Sequence, residues 1–247
     1  MTIKMTTQEM LREIKSAPEA GQLAAALGNI CTQMGFKYFA LTHHVEVTRG
    51  AANVVRIHNY PSQWVAYHDR NALGTSDPVH RASHMSCAGF LWSEMETMIP
   101  LSSEDRRVLA LSREYGVGDG FTVPANVPGE PSGSCSFASV ADIPVDEATL
   151  PLAQLVGIFA FERARSCSGI RAFEKSPPRL TDRQRDCLLW VGRGKSDWET
   201  GRILGITEDT VDRHLTNARE RYEVPKRTML LVRALFDGTL SFSDILP

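Results

Sequence analysis

Cysteine pairs that would indicate a disulfide framework or a structural zinc site are absent from this sequence. The chain has five cysteines among 247 residues, an odd number, and no two of them are spaced as Cys-x-x-Cys. Each cysteine stands among apolar neighbours, which is typical of reduced thiols in a core. We therefore expect free core cysteines and a reducing compartment.

Long apolar runs are absent too. Residues 1–5 lack the apolar stretch of a signal peptide, and no segment approaches the length of a membrane span. Hydrophobic residues nevertheless make up 43% of the chain, which is enough for ordinary cores. We expect a cytoplasmic protein of one large or two modest domains that does not contact a membrane.

The motifs of common enzymes are also missing. The sequence has no nucleophile elbow, P-loop or GxGxxG. Two histidine pairs, His43-His44 and His80 with His84, are candidate metal ligands, since residues four apart share one helical face. Neither an HExxH glutamate nor a cysteine at ligand spacing accompanies them. We expect surface histidines, no metal, no cofactor and no catalytic residue, and a metal-dependent enzyme is the alternative hypothesis.

Helix caps, by contrast, are frequent between residues 180 and 222. Thr181 with Gln184 and Ser196 with Glu199 have the spacing of capping boxes, and Thr207 precedes two acidic residues as a third N-cap. Glycines follow the first and second of these helices, where they suit sharp stops. A short helix, a tight glycine turn and a third helix predict a helix-turn-helix.

The third of these helices has one apolar and one polar face. Val211, Leu215 and Ala218 recur at intervals of four and three, which predicts a buried side. The opposite side is polar and cationic, as suits a helix in a DNA major groove. We predict base contacts by Thr210, Arg213 and Asn217, and phosphate or supporting contacts by Lys195, His214, Arg221, Lys226 and Arg227.

An excess of positive charge, which would support DNA binding by a single copy, is absent. The chain has 27 lysines and arginines against 29 aspartates and glutamates. Because the chain has no excess of positive charge, one copy attracts DNA only weakly. Two copies on two half-sites are needed to make enough phosphate contacts. We therefore expect a homodimer on a double-stranded DNA operator.

The first two thirds of the chain mix helical and strand periodicity. Helices are predicted at residues 6–17, 19–34, 61–71, 77–84, 104–115 and 146–165, with Pro61 as a first helical residue and with Gly118 and Gly120 ending the fifth helix. Strands are predicted at residues 36–45, 53–59, 90–92, 121–125 and 134–140, the first two joined by a turn at Arg49-Gly50.

This order of elements predicts an α+β fold. The N-terminal domain is expected to be an α-β-α sandwich with an antiparallel sheet and with ligand space between the sheet and one helical layer. A small all-α helix-turn-helix domain follows it. We expect the domains at residues 1–167 and 179–247, joined by a linker at 168–178 that contains a Pro-Pro pair.

The C-terminal motifs resemble those of a known family. Leu180-Thr181-x-Arg183, Gly194-Lys195-Ser196 and Thr210-Val211-x-x-His214-Leu215 are similar to the DNA-binding domain of LuxR-type transcription regulators. Two residues depart from the family. Gln184 replaces the usual Glu but still completes a capping box, and Asp212 places an anion where it would repel phosphate. The resemblance implies a transcription regulator whose sequence preference differs from that of better-known relatives.

Upstream, Tyr60-Pro61-x-x-Trp64, Asp77-Pro78 and Phe90-x-Trp92 resemble the acyl-homoserine lactone binding domain of the same family. The resemblance implies that Trp64 donates to the lactone carbonyl, that Asp77 accepts the amide N–H and that Tyr60 donates to the acyl carbonyl. These are the three polar groups that a buried lactone must satisfy.

Five further residues are candidates for the implied ligand site. The resemblance implies that Trp92 packs on the lactone ring with Gly120 behind it, and either Ser136 or Ser139 is a candidate for a further hydroxyl. His68 stands where the family usually has a tyrosine that walls the acyl chain, and a histidine is shorter, more polar and titratable near neutral pH. Either the acyl chain differs, for example by carrying an oxygen, or the ligand is not a standard lactone.

The resemblance as a whole implies a regulator that binds an acyl-homoserine lactone as its small-molecule effector and controls quorum-sensing genes as a homodimer. One alternative remains open. The N-terminal domain would then mainly dimerise, and the chain would regulate without a ligand or without responding to a lactone. The two hypotheses differ in a measurable way, because a ligand stabilises only a protein that binds it.

Overall fold

The computed structural model describes residues 5–45, 54–127, 130–170 and 178–246. It divides into two compact units, Met1–Ala172 and Phe173–Pro247. The predicted turn at Arg49-Gly50, the start of the second predicted strand and most of the predicted linker lie outside the described residues. Among the described residues, no helix combines the length and the hydropathy that crossing a membrane requires.

The N-terminal unit is built on one antiparallel sheet of five strands. The strands are β1 (Tyr38–His43), β2 (Arg56–His58), β3 (Phe90–Leu91), β4 (Val117–Ala125) and β5 (Gly133–Val140), in the order β2-β1-β5-β4-β3. Phe137 of β5 lies opposite both Phe39 of β1 and Phe121 of β4. Since residues directly opposite one another point to the same side, these rings place a row of large apolar side chains on one face of the sheet.

Seven α-helices accompany this sheet in the described part of the N-terminal unit. They are α1 (Thr7–Ser16), α2 (Ala20–Gln33), α3 (Ser62–Arg70), α4 (Pro78–Ser83), α5 (Met95–Met98), α6 (Ser103–Glu114) and α7 (Leu150–Cys167). Helices α1, α2 and α7 pack on the phenylalanine face. Helix α7 contributes alanines and Gly157, whose added Cβ would lie 2.8 Å from Val123, so it approaches the sheet closely. Trp64, Leu73 and Val108 pack on the other face, which completes the predicted α-β-α arrangement.

Local signals placed most of these elements correctly. Thr6 and Ser102 each form a capping box, and Asp77 caps α4 through the N–H of Val79. Pro61 is the N-cap of α3 rather than its first residue, and Trp92 begins a 3-10 turn instead of ending a strand.

The prediction that Gly118 and Gly120 end a helix was wrong. Helix α6 ends at Glu114, next to Gly116 with φ +85°, and both glycines lie inside β4. These glycines allow β4 and β5 to approach each other closely, because a Cβ on Gly118 would lie 2.4 Å from the carbonyl oxygen of Val140. Glycine therefore permits the tight and irregular pairing of β4 with β5 at this end.

Replacing Gly28 with alanine should stabilise the N-terminal unit by about 0.5–1 kcal/mol. Gly28 lies inside α2, and a Cβ there meets no atom within 4 Å. The gain comes from the lower backbone entropy of the unfolded chain and needs no new contact. Urea unfolding of the full chain measures it, and a loss of stability would show that this helix position is under strain.

The C-terminal unit is all-helical. Its helices are α8 (Asp182–Gly192), α9 (Asp197–Leu204), α10 (Glu208–Arg221), α11 (Arg227–Phe236) and α12 (Phe242–Ile245). The buried core contains the residues that the helical spacing selected on α10, members of the neighbouring helices and one residue between α11 and α12: Cys187, Leu188, Val211, Leu215, Ala218, Leu230, Ala234 and Leu240. The predicted fold class is therefore confirmed for both units.

The cysteines follow the prediction only in part. Cys31, Cys135 and Cys187 are buried and free, as expected of core thiols. Cys87, however, is exposed, so the expectation of a core position was wrong for this residue. It lies after α4 in a non-helical stretch, and the apolar residues beside it in the sequence gave no information about its exposure.

Candidate ligand cavity and nucleic-acid interface

A cavity of about 410 Å³ lies between the sheet and the helices of the second face, α3, α4 and α6. Cavities of about 300–1,000 Å³ are typical of small-molecule sites. Apolar side chains such as Val79, Val108 and Val117 form part of its wall. Six of the eight predicted ligand residues border it, namely Tyr60, Trp64, His68, Asp77, Trp92 and Ser136.

The other two predicted residues, Gly120 and Ser139, do not border the cavity. A Cβ on Gly120 would lie 2.8 Å from the indole of Trp92 and 2.7 Å from the carbonyl oxygen of Phe137. Gly120 thus leaves room for Trp92 to lie against the strand. The buried Ser139 hydroxyl donates to the carbonyl oxygen of Asp119 at 3.0 Å, so it serves the backbone.

The indole N–H groups of Trp92 and Trp64, which both border the cavity, differ in whether they already have a hydrogen-bond partner. The Trp92 N–H donates to the Thr122 hydroxyl at 2.8 Å, and Thr122 in turn hydrogen-bonds Ser136 at 2.8 Å. The Trp64 N–H has no hydrogen-bond partner among the described residues, nor has the Tyr60 hydroxyl, although Trp64 is 7% exposed. Because buried donors are normally paired, these two are suited to meet acceptors on a bound molecule.

An aspartate and several imidazoles form the polar end of the cavity. Asp77 accepts the Val79 N–H through Oδ1 at 2.7 Å, and its Oδ2 lies 3.4 Å from Nε2 of His68. Burial alone would raise the pKa of Asp77, but His80, His68 and the Val79 N–H outweigh it and hold that pKa at about 2. Burial lowers the pKa of His80. Asp77 is therefore an anion and His80 a neutral ring at neutral pH.

The prediction of surface histidines was wrong for most of the set. His43 and His44 are 5% and 6% exposed, and His80 is half-buried. The His44 ring stacks on His80 at 4.0 Å, and its nitrogens lie 2.9 Å from His84 and 2.9 Å from the Ser134 hydroxyl. These contacts join β1, α4 and β5. The spacing of the histidines in the sequence therefore could not reveal them.

Other cavity residues had not been predicted from the sequence as ligand contacts. Arg56 pairs with Asp69, and both are about one-third exposed. Both residues also border the cavity, so the pair lies at its margin. The alternation of β1 does place Ala40 and Thr42 on the same side as the cavity, and this signal was available in the sequence. The further lining residues are His43, Val45, Val54, Val55, His58, Val65, Ala72, Leu73, Gly74, His80, Leu109 and Ser112.

The C-terminal unit contains the predicted helix-turn-helix. Gly205 ends α9 in the left-handed region with φ +69°, and Thr207 caps α10 by accepting the Thr210 N–H. On α10, Arg213 and Asn217 are exposed, whereas Thr210 and His214 are half-buried. The Thr210 hydroxyl also hydrogen-bonds Thr207 at 2.7 Å. The exposed part of α10 therefore includes Arg213 and Asn217, both suited to bidentate base contacts.

Three of the predicted cationic DNA contacts already have partners in the fold. Arg227 forms an ion pair with Asp197 at 2.7 Å, and Lys195 lies 3.4 Å from Glu199. Arg221 donates to the carbonyl oxygen of Arg179 at 2.8 Å. The side chains of Arg213, Asn217 and Lys226 make no hydrogen bond or ion pair with any described residue, so their polar groups are available.

Asp212, which departs from the family pattern, is exposed on α10. Its charge adds to that of Asp197 in raising the pKa of the Arg227 guanidinium, and the hydrogen bond from Arg227 to Asp197 is the larger cause. The anion thus has a cationic neighbour within its own unit. The positive charge of Arg227 therefore offsets part of the repulsion between Asp212 and DNA phosphate.

Comparison with known proteins gives the same two-part division. Residues 19–164 match the model of the autoinducer binding domain, and residues 178–234 match that of the bacterial regulatory proteins of the luxR family. The putative HTH-type regulator y4qH of Sinorhizobium fredii is 30% identical over 80% of this chain, which spans 60% of y4qH. The transcriptional activator LuxR of Aliivibrio fischeri is 27% identical over 95% of this chain and 94% of that protein.

A solved structure shows the same fold. Escherichia coli SdiA has a TM-score of 0.58 and 22% identity, with 94% of this chain and 96% of SdiA covered. A second structure, SdiA in complex with octanoyl-rac-glycerol, has a TM-score of 0.57. Because the autoinducer-binding model alone covers more than half of the chain, the family is established. The chain belongs to the LuxR family of transcription regulators, with an autoinducer-binding domain followed by a helix-turn-helix DNA-binding domain.

Proposed function

We propose that this regulator binds an acyl-homoserine lactone in the cavity and then controls quorum-sensing genes as a homodimer. One observation carries the proposal: two unpartnered donors, Trp64 and Tyr60, border the same cavity as the carboxylate of Asp77. An acyl-homoserine lactone has two carbonyl oxygens and one amide N–H. The donors suit the carbonyls and the carboxylate suits the N–H, which satisfies every polar group of the ligand on burial.

The substituent on the acyl chain is the finer part of the proposal. His68 borders the cavity, and its side chain is 20% exposed. An imidazole beside the chain leaves an apolar methylene poorly matched but can hydrogen-bond an oxygen. We therefore expect a lactone with an oxo or hydroxy group near the amide to bind more tightly than its unsubstituted counterpart.

Recovery of the ligand from the protein is the decisive test. The full chain is expressed with a panel of acyl-homoserine lactones and with octanoylglycerol, because the SdiA complex shows that a related fold holds that molecule. Mass spectrometry of a solvent extract then identifies what is retained. We expect one lactone per chain, and a soluble yield that rises only in its presence.

A stability measurement supplements the extraction. Ligand at 100 times its Kd should stabilise the protein by about 2.7 kcal/mol. Trp64→Phe keeps the ring in the core but removes the N–H donor, so it should weaken the lactone with little change in the effector-free protein. Good yield, no retained molecule and no shift of the melting temperature with any lactone would contradict the proposal. That result would support the regulator without a ligand.

Dimerisation is proposed from charge and from exposed apolar residues. The nearly balanced charges of the chain favour two copies on one operator. Met229 and Val232, both on α11, are 42% and 57% exposed, which supports a contact between copies there. Light scattering with and without the retained lactone measures the expected change in mass.

Arg213→Ala should relax specificity at one base pair of the operator, with a loss of about 1–3 kcal/mol for the preferred base. Arg213 is exposed on α10 and has no partner among the described residues, so its guanidinium is free for bidentate contact. Binding titrations on operator variants measure the effect. Lys226→Ala is the matched control, because loss of a phosphate contact weakens all operators equally and lowers the salt dependence. A uniform loss for Arg213→Ala would reassign that residue to phosphate.

A further inference from the structure

Three potential metal ligands converge at the polar end of the cavity. One imidazole nitrogen of His68, one of His80 and one carboxylate oxygen of Asp77 all lie within 4.8 Å of one another. They come from the end of α3, the N-cap of α4 and the first turns of α4. Asp77 and His80 are three residues apart at the start of α4, and the tertiary structure brings His68 of α3 to them.

We propose that His68, Asp77 and His80 bind a divalent first-row transition-metal ion, such as zinc, at the wall of the cavity. Two imidazoles and one carboxylate are a known ligand set for such ions when a fourth position is left open. The nitrogen ligands argue against Mg²⁺ and Ca²⁺, which take oxygen. The open position would face the cavity and accept an oxygen of the effector.

The distance between His68 and Asp77 fits a shared ion. Nε2 of His68 lies 3.4 Å from Oδ2 of Asp77. An N–H···O hydrogen bond is usually about 2.7–3.2 Å long. Two ligands on a tetrahedral ion with bonds of about 2.0–2.1 Å stand about 3.3–3.4 Å apart. The pair is therefore spaced as two corners of a coordination shell.

Two of the three ligands, His80 and Asp77, are also held by a hydrogen bond to the backbone. Nδ1 of His80 lies 2.9 Å from the carbonyl oxygen of Gly74, which can only accept, so Nδ1 carries the proton and Nε2 keeps its lone pair. Metal-bound histidines usually donate their other N–H in this way. The Val79 N–H holds Oδ1 of Asp77 and leaves Oδ2 for the ion. His44 stacks on His80 at 4.0 Å and fixes the plane of that ring.

The ion would add to what Asp77 does. A carboxylate that binds the metal through Oδ2 keeps further lone pairs that can accept the amide N–H, and the metal polarises a carbonyl or hydroxyl oxygen of the effector. The metal site thus concerns the same cavity as the proposed function, but it does not require the effector to be a lactone. It also gives a reason for a histidine at position 68.

Zinc titration of the full chain tests the proposal. The protein carries Cys87→Ser, since that exposed thiol is an unrelated zinc ligand. After dialysis against EDTA, Zn²⁺ is added in competition with a chelating dye. We expect one ion per chain. The visible spectrum with Co²⁺ should show the intense bands of a four-coordinate site without sulfur.

Three variants locate the ion. His68→Gln, His80→Gln and Asp77→Asn should each raise the Kd for Zn²⁺ by at least about 100-fold, more than the loss of an outer-shell partner. Asparagine caps helices as well as aspartate, so Asp77→Asn should keep α4 intact, which its melting temperature would show. His58→Gln is the matched control, because His58 borders the same cavity outside the three ligands. It should retain zinc.

The outcomes separate this proposal from the proposed function. An EDTA-treated protein that retains a lactone but binds no stoichiometric zinc would overturn the metal site and leave lactone binding in place. Zinc that binds equally well to all three variants would also overturn it. One zinc per chain, lost in the three variants and kept in His58→Gln, would establish the site even if no lactone is ever retained.

Discussion

Replacing Arg165 with alanine should lower the free energy of unfolding of the N-terminal unit by about 3–5 kcal/mol. Arg165 lies near the end of α7, and its side chain is 7% exposed. It donates to both carboxylate oxygens of Glu130, with Nε to Oε2 at 2.7 Å, and it also pairs with Glu162. Without the guanidinium, the Glu130 carboxylate, which is 13% exposed, keeps no strong partner.

His43 cannot replace the lost arginine. Its Nε2 lies 3.6 Å from Glu130, and burial lowers the pKa of this ring despite the neighbouring carboxylate. A neutral imidazole at that distance stabilises the anion weakly. The large effect therefore comes from an unpaired buried charge and from the lost packing of the arginine stem.

Arg106→Ala is the control for the Arg165 variant. Arg106 pairs with Glu96 on the surface, where both side chains are more than half exposed, so its loss should change stability by no more than about 1 kcal/mol. Urea unfolding of the full chain, followed by hydrogen exchange on peptides of each unit, measures both and assigns the loss to a unit. Similar small losses of unfolding free energy in the two variants would show that water or another group pairs with Glu130 when Arg165 is absent.

Gly201→Ala should destabilise the C-terminal unit by about 1–3 kcal/mol and weaken operator binding. Gly201 lies in α9, and its added Cβ would stand 2.7 Å from the carbonyl oxygen of Ile206 and 3.3 Å from the carbonyl carbon of Thr207. Both are backbone atoms of the turn that leads into α10. The turn must therefore move, and α10 moves with it, away from the position in which α9 supports it.

Gly192→Ala provides a matched control for this variant. Gly192 is the last residue of α8, and its Cβ would lie 2.8 Å from Cδ1 of Ile245, which is the end of a flexible side chain. The nearest distance is almost the same, but here the neighbour can rotate away. We expect a smaller loss of stability and unchanged operator affinity. Equal losses for the two variants would show that the turn yields as easily as a side chain.

Local signals in the sequence determined most of the helices and where they begin. Thr181, Ser196 and Thr207 all cap helices as predicted, because an N-cap needs only a hydroxyl and the N–H groups two or three residues ahead. The buried face of α10 was predicted from the spacing of its apolar residues, because residues three and four apart lie on one face of a helix. The resemblance to the family also predicted the cavity, since six of the eight ligand residues that it indicated border that cavity.

Tertiary structure alone decided the polar interior. His44 contacts His80 and Ser134, and Arg165 pairs with Glu130, across separations of 35 to 90 residues, and no periodicity carries such information. His43 and His44, which were expected at the surface, are therefore buried, and His80 is half-buried. The role of Gly201 also depends on tertiary structure, because only there does the backbone of the turn before α10 lie against it. Sequence patterns encode hydrogen bonds that close within one helical turn, whereas a cavity and its charges arise only when distant segments pack.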